Sequence, residues 1–173
     1  MDSYVIICDD WRLLEEEPEA ICRQFERYTE SEARYFAPVL FAEYSCLTQF
    51  VDEEIDLVIT SQHSSNAARL GYDQFVEFWG WRDMLSTKVY HLSGGWRKLL
   101  GLALFLNQKC DDLLVIDFTS HLSDRLIRFA LLQAERLGIR RIGFAEYDEE
   151  IIQKYLTHFK KLRRSGQRLV DVD

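Results

Sequence analysis

The chain has 173 residues, 47% of them hydrophobic and 13% aromatic, with two prolines, eight glycines and a formal charge of −8. This composition excludes a disordered or fibrous chain, and a chain of this length can bury roughly 70% of its unfolded surface in one core. It predicts a single domain over residues 1–173. No stretch reaches the ~18 apolar residues of a membrane span, and MDSYVIICDD lacks the basic flank of a secretory signal, so a cytoplasmic place without membrane attachment is expected.

In chain order, YVIIC (Tyr4 to Cys8) is a continuous apolar, β-branched run and predicts a strand covered on both faces. Pro18 suits the first turn of a helix, with Ile21, Phe25 and Tyr28 recurring along one stripe. Val39 to Ala42 predicts a second strand and Ile55 to Thr60, IDLVIT, a third. Tyr72, Phe75, Phe78, Trp79 and Trp81 crowd an aromatic helix. Lys88 to His91 predicts a short strand, Leu99 to Leu106 a buried helix, and Leu113 to Phe118 a further strand.

Ser123 is a helix N-cap, with Ile127, Ala130, Leu131, Ala134 and Leu137 forming a buried stripe and Gly138 a stop. Arg141 to Ala145 predicts a strand. Asp148 to Phe159 predicts a last helix closed by Lys160, Lys161, Arg163 and Arg164, and Leu169 to Val172 an edge strand. Strands alternating with helices give an α/β fold with a mostly parallel, Rossmann-like sheet and helices on both faces. Ligands of such sheets sit beyond the carboxyl ends of the strands, which would gather Asp9, Asp10, Ser61, His63, Ser93, Gly94, Asp117, Thr119 and Glu146.

Charge is unevenly divided. Residues 1–85 hold 18 Asp/Glu against 6 Lys/Arg, and residues 86–173 hold 11 against 15. An acidic first half repels nucleic acid and steers a basic protein toward itself. Glu15, Glu16, Glu19, Glu26 and Glu30 supply that field, and Trp79 and Trp81 are candidate interface anchors. Cys8, Cys22, Cys46 and Cys110 form no Cys-x-x-Cys pair and read as reduced, buried thiols.

Ser93-Gly94-Gly95, followed by Arg97 and Lys98, opens a helix with two glycines and two cations, a combination that could cradle a phosphate. It is neither a Gly-x-x-x-x-Gly-Lys-Ser/Thr loop nor Gly-x-Gly-x-x-Gly, and an ordinary turn before a helix is the competing reading. HLSGGWRKLLGLALFL resembles the strand, Ser/Thr-Gly-Gly turn and helix of cyclic-oligonucleotide-sensing CARF domains, which implies nucleotide binding at Ser93 to Gly95. Trp96 and Arg97 stand where that family has Thr-Lys. Leu113 to Leu162 resembles the latter half of a Gcn5-type acetyltransferase, but SHLSDRLIR lacks the glycines of its pyrophosphate loop.

Asp9-Asp10 as a Mg²⁺ site lacks a third carboxylate at the end of IDLVIT. Ser61, His63 and Asp117 as a triad lack a Gly-x-Ser-x-Gly elbow, and His91, His121 and His158 lack metal-ligand spacing. Three readings follow. The leading one is a non-enzymatic, acidic protein-binding module of the immunity-protein kind, neutralising a cationic toxin or nuclease domain without a cofactor or metal. The alternative is a nucleotide or anion sensor using Ser93, Gly94, Gly95, Arg97 and Lys98, and the third is a degenerate acetyltransferase-like fold.

Overall fold

A computed structural model describes residues 1–37, 48–61 and 68–172. In chain order the elements are β1 (Asp2–Ile7), α1 (Trp11–Glu16), α2 (Pro18–Thr29), β2 (Ala33–Phe36), α3 (Val51–Ser61), α4 (Tyr72–Trp79), α5 (Gly94–Leu106), β3 (Asp112–Ile116), α6 (Asp124–Arg136), β4 (Arg141–Glu146), α7 (Glu149–Tyr155), β5 (Lys160–Ser165) and β6 (Arg168–Asp171). They fall into two compact units: Met1–Leu40, Cys110–Ser120 and Gly138–Asp173 form the first, and Phe41–Lys109 with His121–Leu137 form the second.

The first unit holds a six-stranded sheet in the order β2-β3-β4-β1-β5-β6. Every neighbouring pair is parallel except β5 with β6, so the fold is α/β with a mostly parallel sheet. All five residues of β3 are buried, as a continuous apolar run in a parallel sheet requires. Pro18 sets the first turn of α2, and Ile21, Cys22 and Phe25 bury one face of it. That face packs with Ile6, Cys8, Leu114, Ile116, Ala145 and Leu162 in one apolar core.

At the amino end of β4, Arg141 donates through Nε to Asp112 at 2.7 Å and through Nη1 to the Thr29 carbonyl at 2.9 Å. Asp112 is completely buried, so this one guanidinium ties β3, β4 and the end of α2 together.

In the second unit, α5 buries every residue from Lys98 to Leu106. Asn107 continues the anchoring, with its side chain accepting from Leu70 N at 2.9 Å and donating to the Leu70 carbonyl at 3.0 Å. The Gln133 amide of α6 donates to the Phe78 carbonyl at the end of α4.

Four sequence expectations are corrected. IDLVIT lies within a helix: Val51, Ile55 and Ile59 are buried at a spacing of four while Leu57 is exposed, a helical period hidden by a run short enough to read as a strand. Glu53 accepts from the Gln49 and Phe50 backbone N–H groups, fixing that helix start. Lys88 to His91 is a single 3-10 turn over Val89–His91, joined by one bridge between Phe50 and Lys88.

The aromatic helix stops at Trp79, because Gly80 takes the left-handed conformation at φ 69°, and Trp81 lies beyond it. The last helix ends at Tyr155; Lys160 to Ser165 is the strand β5, with Leu162 alone of the six fully buried. Val39 to Ala42 lies outside the described residues.

Candidate functional site

The carboxyl ends of β1, β3 and β4 form the rim where a parallel sheet places its ligands. Here the rim is acidic. Asp10 caps α1, accepting from Arg12 N at 3.0 Å, which is a structural use of the carboxylate. Asp117 is buried in a left-handed conformation at φ 51° and accepts from the Ser120 hydroxyl. Glu146, 1% exposed, accepts from Thr119 N at 2.9 Å and so pins the turn after β3 to the end of β4.

Burial pushes the Cys8 thiol up to about 12, with Glu146 and Asp9 adding to the rise and Arg164 opposing it. The Tyr147 phenol is raised by burial first and then by Asp117, Asp148 and Glu146. Among the described residues, no group of three His, Cys, Asp or Glu is arranged to hold a metal ion. Ser61 spends its hydroxyl on the Val58 carbonyl within its own helix at 3.0 Å, and His63 lies outside the described residues.

The second unit carries the Ser93 turn. Ser93 caps α5, its hydroxyl accepting from Trp96 N at 3.4 Å and its carbonyl from Arg97 N at 2.9 Å. Ser93 and Gly94 are exposed, and nothing lies within 4 Å of the position a Gly94 Cβ would take. Gly95 differs. A Cβ there would stand 2.9 Å from the His121 carbonyl oxygen and 3.3 Å from Leu126 Cδ1, so the chain before α6 closes directly over it.

The two cations do not serve this turn. Arg97 donates through Nη2 to the Leu92 carbonyl at 3.2 Å and the Tyr90 carbonyl at 3.5 Å, and Lys98 is 8% exposed. Their helical positions turn them toward the 3-10 segment and the core, which spacing alone did not reveal.

The expected interface anchors are also corrected. Trp79 and Trp81 are 1% and 0% exposed: Trp79 packs against Phe75, Phe78 and Phe129, and Trp81 edge-on against Trp96. Neither indole N–H has a hydrogen-bond partner. Of the acidic candidates, Glu15, Glu16, Glu19 and Glu30 are exposed, but Glu19 pairs with Arg23 at 3.4 Å. Glu26 accepts from Ala33 N at 3.0 Å and thereby holds the start of β2.

A cavity of about 630 Å³ opens beside the turn, lined by Trp79, Gly80, Ser93, Gly95, Trp96, His121, Ser123, Arg125, Leu126 and Phe129. The sequence showed Ser93 and Ser123 only as two separate helix starts. Their convergence depends on Gly95 admitting the His121 turn.

No protein-family model matches the chain, and no curated protein matches it. Solved structures do. A protein described as a cobalt transport ATP-binding protein aligns with TM-score 0.64 at 15% identity, over 97% of this chain and 67% of its own. cbiO1 from Clostridium perfringens, part of the ABC transporter complex cbiONQ, aligns with TM-score 0.63 at 12% identity, over 98% and 75%. An inward-facing structure described as a metal-chelate type ABC transporter aligns with TM-score 0.65 at 13% identity, over 99% and 72%.

These matches overturn the reading as an immunity-type inhibitor with a basic protein partner and no membrane connection, because the shared fold is that of transport ATP-binding proteins. They also displace the CARF-type and acetyltransferase likenesses. Among the described residues, no helix is long and apolar enough to cross a membrane.

Proposed function

We propose that this chain is an ATP-binding-domain-like subunit of a transport assembly, and that its Ser93-Gly94 helix start meets the phosphates of a nucleotide held by a second chain. The observation that carries this reading is the open Ser93-Gly94 turn within a fold shared by transport ATP-binding proteins. The 13-residue helix α5 starts at Gly94, where nothing lies within 4 Å of the position a Cβ would take, and such a helix start favours an anion.

Two features support a nucleotide held elsewhere. The turn after the central strand β1 is Cys8-Asp9-Asp10, without glycine, lysine or a phosphate-loop motif, and its carboxylates repel phosphate. The Ser93 turn offers donors while Arg97 is engaged with carbonyls and Lys98 is buried, so the counter-charge for a phosphate has to come from another surface. A cytoplasmic place, on the side where ATP is present, fits this role.

Photolabelling with 8-azido-ATP tests it. The purified chain should remain unlabelled, whereas an assembly captured through it from the native membrane should carry label on a second chain. Gly94→Val should reduce that label at least tenfold without loss of assembly, because a side chain obstructs close approach of the phosphate. Labelling of this chain on its own, or labelling of the assembly that is indifferent to Gly94→Val, would refute the reading.

A further inference from the structure

The cavity beside the Ser93 turn adds apolar walls, Ser123 and Arg125 to the helix start that the phosphate contact uses. Trp79, Trp96, Leu126 and Phe129 give it aromatic and aliphatic walls. Two 13-residue helices begin at its edge, α5 behind Ser93 and α6 behind Ser123. The Ser123 hydroxyl makes no capping hydrogen bond to its helix, and the exposed Arg125 stands in the first turn of α6. Among the described residues that line the cavity, none is a carboxylate.

Apolar walls with a few converging polar groups and a volume within roughly 300–1,000 Å³ are the attributes of a small-molecule site. Two helix starts and the Arg125 guanidinium offer donors to an anion at one end of this site, beside Asp124 in the first turn of α6. We infer that the cavity binds a small aromatic acid, its ring against Trp96, Leu126 and Phe129 and its carboxylate toward Arg125 and Ser123. This inference goes beyond the nucleotide reading, with which it shares Ser93 and the start of α5, and is separable from it because Gly94 does not line the cavity and Arg125 has no part in the phosphate contact.

The test uses 1-naphthoate and its neutral counterpart 1-naphthalenemethanol, followed through the indole N–H signals of the folded chain by ¹⁵N NMR. Naphthoate should shift the Trp79 and Trp96 signals saturably, leave the distant-in-sequence Trp11 signal unmoved, and bind about tenfold more tightly than the alcohol. Arg125→Gln should remove that preference while leaving alcohol binding unchanged, and Gly94→Val should alter neither. No saturable shift of Trp79 or Trp96 at about 5 mM naphthoate, equal affinity for the two probes, or an unchanged preference in Arg125→Gln would each overturn the assignment. Because Gly94→Val removes the phosphate contact and Arg125→Gln does not, failure of one reading is separable from failure of the other.

Discussion

The His121 carbonyl oxygen lies 2.9 Å from the point where a Cβ on Gly95 would stand, whereas the same point on Gly94 faces open space. Two adjacent glycines thus have unrelated reasons to be glycine. Gly95→Ala has to displace backbone, and should lower unfolding stability by about 1–3 kcal/mol, as overpacking does. Gly94→Ala should change it by no more than about 0.5 kcal/mol. Urea unfolding of both variants checks the contrast, and equal losses would contradict the packing described.

Arg141 and Asp112 form a buried pair in which the aspartate has no contact with solvent. Asp112→Ala leaves the guanidinium's Nε proton without its acceptor and should cost about 3–5 kcal/mol. Removing both charges with apolar residues of similar volume should recover a large part of that loss, and a double-mutant cycle measures it.

Cys8 and Cys22 are raised from 9.0 to about 12, in both cases mainly by burial. The native state therefore favours the neutral thiols, and their stabilising contribution is complete below pH 9 and lost as pH rises toward 12. In a Cys46→Ser background at pH 8, iodoacetamide should modify the partly accessible Cys110 at least about tenfold faster than either buried thiol. Reaction of all three at one rate would contradict their burial.

Glu26 accepts from Ala33 N, while Glu15 and Glu16 are exposed on α1. Glu26→Ala leaves that half-buried N–H at the start of β2 without its partner and should cost about 1–2 kcal/mol. Reversing Glu15 and Glu16 to Lys should cost less than about 0.5 kcal/mol. Thermal unfolding distinguishes the carboxylate that builds the fold from those that only charge its surface.

Much of the fold was legible because its signals are local. YVIIC, LLVIDF and RIGFA carry apolar runs long enough to declare buried strands, and Pro18, Ser93, Ser123 and Gly138 mark helix ends by their own backbone chemistry. The errors arose where tertiary packing selected between periods. Ile55 and Ile59 satisfy a helix as readily as IDLVIT satisfies a strand, and KKLRRS reads as a basic helix end until β1 supplies it with a parallel partner. The Ser93 turn was visible in sequence, but the inward routing of Arg97 and Lys98 was not, and neither was the cavity. Its walls come from three stretches separated by a dozen or more residues that only the folded second unit brings together.

β1 occupies the middle of its sheet, yet its partners β4 and β5 begin at Arg141 and Lys160. During synthesis at about 5–20 residues per second, YVIIC emerges roughly 7–27 s before the first of those strands exists. Throughout that interval both of its hydrogen-bonding edges and both of its apolar faces lack their native cover. The contacts that close the sheet are among the longest in sequence that a chain of this size can make, which predicts slow folding. The nascent chain therefore passes through an aggregation-exposed period that a chaperone able to hold an extended apolar segment would shorten in effect, and a circular permutant beginning just before β4 would bring β4 and β5 out early and remove most of the wait.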